Sequence, residues 1–592
     1  MKKLSTIMAT LLAVSLVSAT PVWAAKNSNG NDSSPEREKL KHQLMLQSDE
    51  SLTVGQNWKQ SAEKLDMLLK NAKKKSVAIE KLPKDVEEAL EKLYQSFPNL
   101  KDLKLDRVEI ITESNDQPEM WYYSFNKEVI KKEGNKNVTT YISASVLVEA
   151  KTENVVSYSY YDSGAKNTKT PTEKVAKEKA SSFLSKVLGD EAEKFKITDV
   201  FITQEEIDNE SRGYAYVNFS RLIHDIPLSN MGVSIVINGD GQIESYNCDL
   251  RLNNIDESDF PNPNKAIKKK DAEKAFEELS DLKLVYAKEQ VIEMDTKKNK
   301  YKTKPVLKYV PGFNGHIDAL TGEEIEYYYG KYETPETVKL SAKGEEIILK
   351  SRQDAEEFLK DKFDLDVSSW NFREKEYDSL DKKVKRFSWD QGTDERSQLV
   401  IISIDQKTGK LLDYINRDVL EDKQPEIKIS KEEAKEQAIQ AIEKFAEKSV
   451  TEGELALVGS PTFENIPDWV DEDKLPNIIR QGYYFRFNQL HQNVPVEDSS
   501  YRVQIDAETG EIVRLNFSDD YDNSVLPANE DTVTKQKATD AYTDNLSLEM
   551  MYQYPEYYGQ VAPEPILVYY SKDKKTGYID AFTGKIVEIK VK

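Results

Sequence analysis

Two stretches decide the fold: YVNFSRLIHDIPL at Tyr216–Leu228 and YFRFNQLHQNVPV at Tyr484–Val496. In each, apolar and polar residues alternate, a polar pair follows, and an apolar–Pro–apolar run resumes. Alternation with period two reads as a half-buried strand, and the polar pair reads as a tight turn into a second strand. The copies lie 268 residues apart, and the same spacing holds on to Asn238 and Asp506. Constant spacing over so long a stretch marks an internal duplication.

Working outward, a shorter signature recurs six times, each copy an apolar residue, an Asp, Asn or Glu, a turn, and a new apolar strand. The copies begin at Val148, Ile237, Ile317, Ile404, Ile505 and Ile579. The acidic or amide side chain can bond the turn backbone, and the Gly of Thr-Gly supplies positive φ. The Val148 copy lacks the Gly, and the Ile237 copy has Gly-Gln in place of Thr-Gly. Apolar stripes at helical spacing precede the strands: Val86, Ala89, Leu90, Leu93; Ala176, Ala180, Phe183, Leu184, Val187; and Ala272, Ala275, Phe276, Leu279. Their counterparts are Ala355, Phe358, Leu359, Phe363; Ala434, Ala438, Ala441, Ile442, Phe445; and Ala538, Ala541, Tyr542, Asn545. Ser430 and Glu433 have the spacing of a capping box.

The expected class is therefore α+β. It would be a tandem array of small two-layer modules, each a helix packed on an antiparallel sheet, duplicated as two halves of three modules. The expected divisions are a signal peptide at 1–24, a flexible leader with a helical segment at 25–80, and repeat halves at 81–330 and 340–592. The polar connection from Gly330 to Leu340 leaves the halves able to pack or to swing.

The segment Tyr484–Leu515, with Val494-Pro495-Val496 and the Ile505–Ile512 turn, resembles the PepSY domain, a cystatin-like module. The duplication from about Lys81 onward resembles the YcdB/YcdC repeat family of exported bacterial proteins. PepSY domains resemble propeptides that inhibit and chaperone thermolysin-like metalloproteases, so the resemblance implies a protein-binding role. It supplies no catalytic residues.

Composition narrows the function classes. The chain has 592 residues and a formal net charge of −22. Such a charge repels phosphate backbones, which argues against nucleic acid. It also disfavours an anionic membrane or wall, unless basic runs such as Lys73–Lys75 or Lys268–Lys270 act locally; solvated helix surface is the expected role of those runs. Lys2 and Lys3, the apolar Ile7–Val17 stretch and Val22-Trp-Ala-Ala25 read as a secretory signal cut after Ala24 or Ala25. The expected location is secreted or wall-associated. Cys248 is the sole cysteine; it is expected as a buried strand residue, with no intramolecular disulfide possible.

No catalytic, cofactor-binding or metal-ligating residue is assigned, and no cofactor is expected. His42, His224, His316 and His491 form no His-Glu-x-x-His motif. His224 and His491 are expected to be exposed beside a turn. Asn238–Gly241 is expected as a hairpin turn, because the spaced ligands of a calcium loop are missing. The Tyr clusters at Tyr158–Tyr161, Tyr327–Tyr329 and Tyr552–Tyr558 fit either core packing or a sticky surface. The leading expectation is a non-catalytic regulator or inhibitor of an extracellular peptidase or wall hydrolase. The alternative is a wall or surface adhesion module acting through repeat avidity; a hydrolase with an unrecognised carboxylate site is the remote third.

Overall fold

A computed structural model describes residues 74–591 apart from 113–117, 134–135, 166–168, 208–209, 296–299, 314, 326–334, 380–381, 394–395, 421–425, 448–449, 464–465, 476–481, 518–522, 573–574 and 576. The expected signal peptide, most of the leader, His42, Lys73 and Tyr327–Tyr329 lie outside the described residues. Within the expected leader, Lys74–Val77 forms a strand, β1.

The first half opens with α1 (Lys84–Ser96) and the strands β2 (Lys104–Ile111), β3 (Met120–Glu133), β4 (Lys136–Glu149) and β5 (Val155–Asp162). Then come α2 (Glu173–Leu188), β6 (Phe195–Ile207), β7 (Glu210–Ile223), β8 (Ile226–Asn238) and β9 (Ile243–Cys248). Next are α3 (Lys269–Ser280), β10 (Lys283–Asp295), β11 (Lys300–Val310), β12 (His316–Asp318) and β13 (Glu324–Ile325). The second half repeats this order. It has β14 (Glu336–Lys339), α4 (Arg352–Phe363), β15 (Asn371–Ser379), β16 (Lys382–Thr393), β17 (Arg396–Asp405) and β18 (Leu411–Leu420). There follow α5 (Lys431–Phe445), β19 (Glu452–Gly459), β20 (Gly482–His491), β21 (Val494–Asp506) and β22 (Ile512–Phe517). The last group is α6 (Lys535–Asn545), β23 (Leu548–Gln553), β24 (Glu556–Tyr557), β25 (Gln560–Val561), β26 (Ile566–Ser571), β27 (Gly577–Asp580), β28 (Ile586–Glu588) and β29 (Lys590–Val591).

Local chemistry sets these elements. The Ser430 hydroxyl accepts from Glu433 N while the Glu433 carboxylate accepts from Ser430 N, and Ser351 with Asp354 repeats this box at α4. At the turns, the Asp318, Asp405, Asp506 and Asp580 carboxylates each accept from two backbone N–H groups. Gly322, Gly409, Gly510 and Gly584 hold φ between 66° and 79°. Where the first copy lacks Gly, Glu153 takes φ 57° instead. Asn238 Oδ1 accepts from Asp240 N and Gln242 N, so that segment is a turn held by its own side chain.

The helix stripes and the alternating strand residues meet in shared cores. One joins α1 and α2 to β2–β9 through Leu90, Tyr158, Leu184 and Tyr246; a second joins α4 and α5 to β15–β22 through Phe358, Trp389, Phe445 and Val503. The third core is of another kind: it combines α3 and α6, with Phe276, Tyr286, Tyr542 and Tyr552 from the two halves.

That third core arises from a reciprocal exchange. The first two strands after α3, β10 and β11, do not extend the first half's sheet, whereas β12 and β13 close its far end. β10 lies parallel to β21, Tyr286 opposite Val496, and β11 pairs with β27, Tyr309 opposite Ile579. In the mirror-image step β23 lies parallel to β8, Tyr552 opposite Leu228, and β26 pairs with β12, Tyr569 opposite Ile317. Among the described residues one sheet thus has 13 strands and the other 14, each drawn from both halves. Matching bonds lock the exchange: Tyr552 Oη donates to Pro261 O at 2.6 Å and Tyr286 Oη to Pro527 O at 2.9 Å. Tyr569 Oη donates to Ile267 O at 2.9 Å, and Tyr309 Oη to Val533 O at 2.7 Å.

Candidate functional site

The sheet formed mainly by the second half turns one face to its helices and core, carrying Phe387, Trp389, Phe485, Phe487, Tyr501, Val503 and Leu515. The period of two sends the intervening residues to the opposite face. Register places Arg386 opposite Ser403, Ser403 opposite Asp413, Asp413 opposite Asn516, Asn516 opposite Arg502, and Arg502 opposite Arg486. One unbroken row therefore crosses six strands, β16–β17–β18–β22–β21–β20. Arg514 and Arg417 flank it, facing Ile415 and Leu399. All five arginines are half-buried.

Electrostatics on this face are unusual for so acidic a chain. Asp413 is buried and bonded to Arg514 Nε at 3.1 Å and Asn516 Nδ2 at 3.2 Å. Burial raises its carboxyl above the usual range, and the Arg514 guanidinium works against that shift. Burial, aided by the neighbouring Arg514 charge, lowers the Arg417 guanidinium. Arg386 donates to Tyr377 Oη at 2.9 Å and lies 5.0 Å from that ring's centroid. Arg486 stands directly opposite Arg502, although like charges in register cost stability. Planar guanidinium forks with aromatic neighbours suit carboxylate or phosphate groups and are enriched where proteins bind one another.

The corresponding row of the first half is neutral. It runs Tyr122, Leu147, Ser157, Asn247, Ser234 and Asn218. Ser157 donates to Asn247 Oδ1 at 2.9 Å where the other half has its carboxylate and amide.

The singled-out residues fall elsewhere. His224 is an exposed turn residue at φ 50°, 3.2 Å from Tyr552 Oη. His491, expected to be exposed, is half-buried instead; it packs 5.2 Å from the Tyr286 ring, where burial and Lys288 lower its pKa. The reason is the exchange: β10 brings Tyr286 onto the end of β20. His316 on β12 lies 3.1 Å from Gln553 Oε1, and burial pushes it down to about 4. Cys248 is half-buried between two cores, its thiol pushed up to about 12 by burial. Tyr158 and Tyr552 are core residues, and Tyr158 stacks on Phe97 at 4.5 Å. Lys74 and Lys75 lie in β1; Lys268 precedes α3, and Lys269 and Lys270 begin it.

Sequence inspection missed the arginine row because its members come from five strands. Its signal was the FRF, YRV and VRL alternation at 485–487, 501–503 and 513–515, where a charged residue sits between apolar ones on successive strands. Among the described residues no group of three His, Cys, Asp or Glu side chains is gathered for a metal ion. No helix of those residues is long and apolar enough to cross a membrane.

A family model described as "YcdB, YcdC repeated domain" matches residues 104–249 and 370–519, together half of the chain. The two matches begin at β2 and at the residue before β15, and end just past β9 and β22. No curated protein matches the chain. Among solved structures, the C-terminal domain of Bacillus megaterium YpeB aligns at 14% identity with a TM-score of 0.25, covering 41% of this chain and 96% of that one.

Proposed function

We propose a binding role for this chain, which belongs to the family of the YcdB/YcdC repeated domain. Specifically, it acts as an exported, non-catalytic regulator of an extracellular peptidase or cell-wall hydrolase. The observation that carries this reading is the arginine row on the second half's sheet, set against the neutral row of the first. The partner surface this row suits is acidic, and the binding is salt-sensitive. The recurring unit is taken as a helix on its antiparallel sheet, three to each half, with the third pair exchanged.

The test is capture from spent medium and wall extract with the tagged chain, followed by inhibition titration of any peptidase or hydrolase retained at near-stoichiometric yield. Retention and inhibition that both fall at least tenfold in Arg486→Ser/Arg502→Ser are expected. Equal retention by that variant, or no retained enzyme, would overturn the reading.

A second reading, an adhesion module, draws on the same five guanidiniums, because they also suit an anionic wall polymer. Binding to isolated sacculi that vanishes with added salt and in the double variant would favour it over enzyme regulation.

A further inference from the structure

Two residues along the strands from the arginine row, the outer face of the second half changes character. Leu399 and Ile401 on β17 and Ile415 on β18 stand there, all half-buried. Register sets Ile401 opposite Ile415, Ile415 opposite Arg514, and Leu399 opposite Arg417. An apolar patch is thus bordered by two guanidiniums, Arg514 beside it on β22 and Arg417 further along β18. Arg417 and Arg514 are diagonal neighbours on adjoining strands, a separation of about 7–8 Å. Asp390, opposite Leu399, is bonded to Arg373.

The equivalent positions of the first half carry serine. Ser145 faces Ser159, Ser159 faces Ser245, and Ser143 faces Tyr161, in the same register. These residues take the places of Ile401, Ile415, Arg514, Leu399 and Arg417. The strands pair in the same order with either set, so the apolar patch is a property of the second half's surface and not of the shared scaffold. Ser159 is exposed, which shows that this face meets water in the first half.

Arg417 supplies the charge argument. It is half-buried, its Nε has no hydrogen-bond partner, and no carboxylate pairs with it among the described side chains. The neighbouring charge that acts on it, Arg514, has the same sign. Arg514 turns Nε and one terminal nitrogen to Asp413, which leaves its other terminal nitrogen to donate elsewhere. A guanidinium held partly out of water beside another is stabilised by an anion, and its planar fork suits a carboxylate. On the protein-binding role proposed above, we infer that the patch takes a peptide segment of the partner in which acidic and apolar residues adjoin. Its carboxylates lie on Arg417 and Arg514, and its apolar side chains on Leu399, Ile401 and Ile415. The apolar surface between the guanidiniums favours such a segment over a bare polyanion, which has nothing to bury there.

The test is fluorescence anisotropy of the full chain with three labelled, end-blocked peptides of repeating Glu-Leu, Glu-Ser and Gln-Leu. The Glu-Leu peptide is expected to bind at least tenfold more tightly than either of the others. Arg417→Gln and Ile401→Ser/Ile415→Ser are each expected to weaken its binding at least tenfold. Circular dichroism melts check folding: Arg417→Gln should melt no lower than the native chain, and serine at 401 and 415 is what Ser145 and Ser159 supply in the first half. Capture of an enzyme, read with Arg486→Ser/Arg502→Ser, is a separate measurement, so an empty capture with this peptide pattern intact would sink the enzyme reading alone. A Glu-Ser or Gln-Leu peptide that binds as tightly as Glu-Leu, native affinity in either folded variant, or displacement of the Glu-Leu peptide by polyphosphate at equal charge concentration would each overturn the inference.

Discussion

At the margin of the first half, β2 presents Val108, Glu109, Ile110 and Ile111, and β1 lies over them. At the matching margin of the second half, β15 presents Glu374, Lys375, Glu376 and Tyr377 and has no covering strand among the described residues. The same position in the duplicated scaffold is solved once by a covering strand and once by charge, both ways of stopping unwanted pairing. The outer faces diverge in the same manner, Ser and Asn on one half and Arg on the other. Duplication fixed the strand order in both halves, while the surfaces changed independently of it. The sites that differ between equivalent positions are therefore where function is to be sought.

The third core is where the halves do not differ, and it offers the hardest test. Tyr552 is fully buried there. Tyr552→Ala is expected to cost about 4 kcal/mol, the range for removing a large buried aromatic ring. Denaturant melts of Tyr552→Ala and the equivalent Tyr286→Ala should show like losses. A loss confined to one of them would break the symmetry argued for the exchange.

The buried Asp413–Arg514 pair sharpens the face comparison. Asp413→Ser, which copies Ser157, leaves Arg514 half-buried without its carboxylate and is expected to cost about 3 kcal/mol. Adding Arg514→Ser, which copies Ser245, should recover most of that loss, as measured by the same melts. No recovery would mean that the two faces are not interchangeable.

His316 lies on β12, which pairs with the exchanged strand β26 of the second half. The folded chain holds it down at about 4 against an ordinary 6.5, so it refuses a proton that the unfolded chain accepts. Its contribution is therefore whole above pH 6.5 and is lost as pH falls toward 4. Between pH 7.5 and 5 the native chain should lose about 2 kcal/mol more than His316→Asn does. Equal losses would show that another group governs acid sensitivity.

The smallest effect concerns the turns. Glu153 holds the positive φ that Gly holds at the four Thr-Gly copies. Glu153→Gly is expected to stabilise by about 0.5 kcal/mol, because strain relief exceeds the backbone entropy lost. A Tm that falls would show that the contact between Lys92 and Glu153 outweighs the strain.

Much of this protein was written in local order. The alternation at 216–228 and 484–496, the Asp-to-Gly turns, the helix stripes and the Ser430–Glu433 box depend on residues within a few positions of one another, and each forms as its neighbours dictate. Period and turn chemistry therefore determined the duplication and the helix-then-strands order from sequence alone. Tertiary structure decided which half completes which sheet. β10 lies against β21 and β23 against β8, and the core they close holds α3 together with α6. That choice half-buried His491 and His316, and register across six strands assembled arginines up to 128 residues apart into one row. The exchange has no signature in the linear chain, and the FRF, YRV and VRL alternation marks single strands without their order, because sheet neighbours are chosen by packing and not by proximity in sequence.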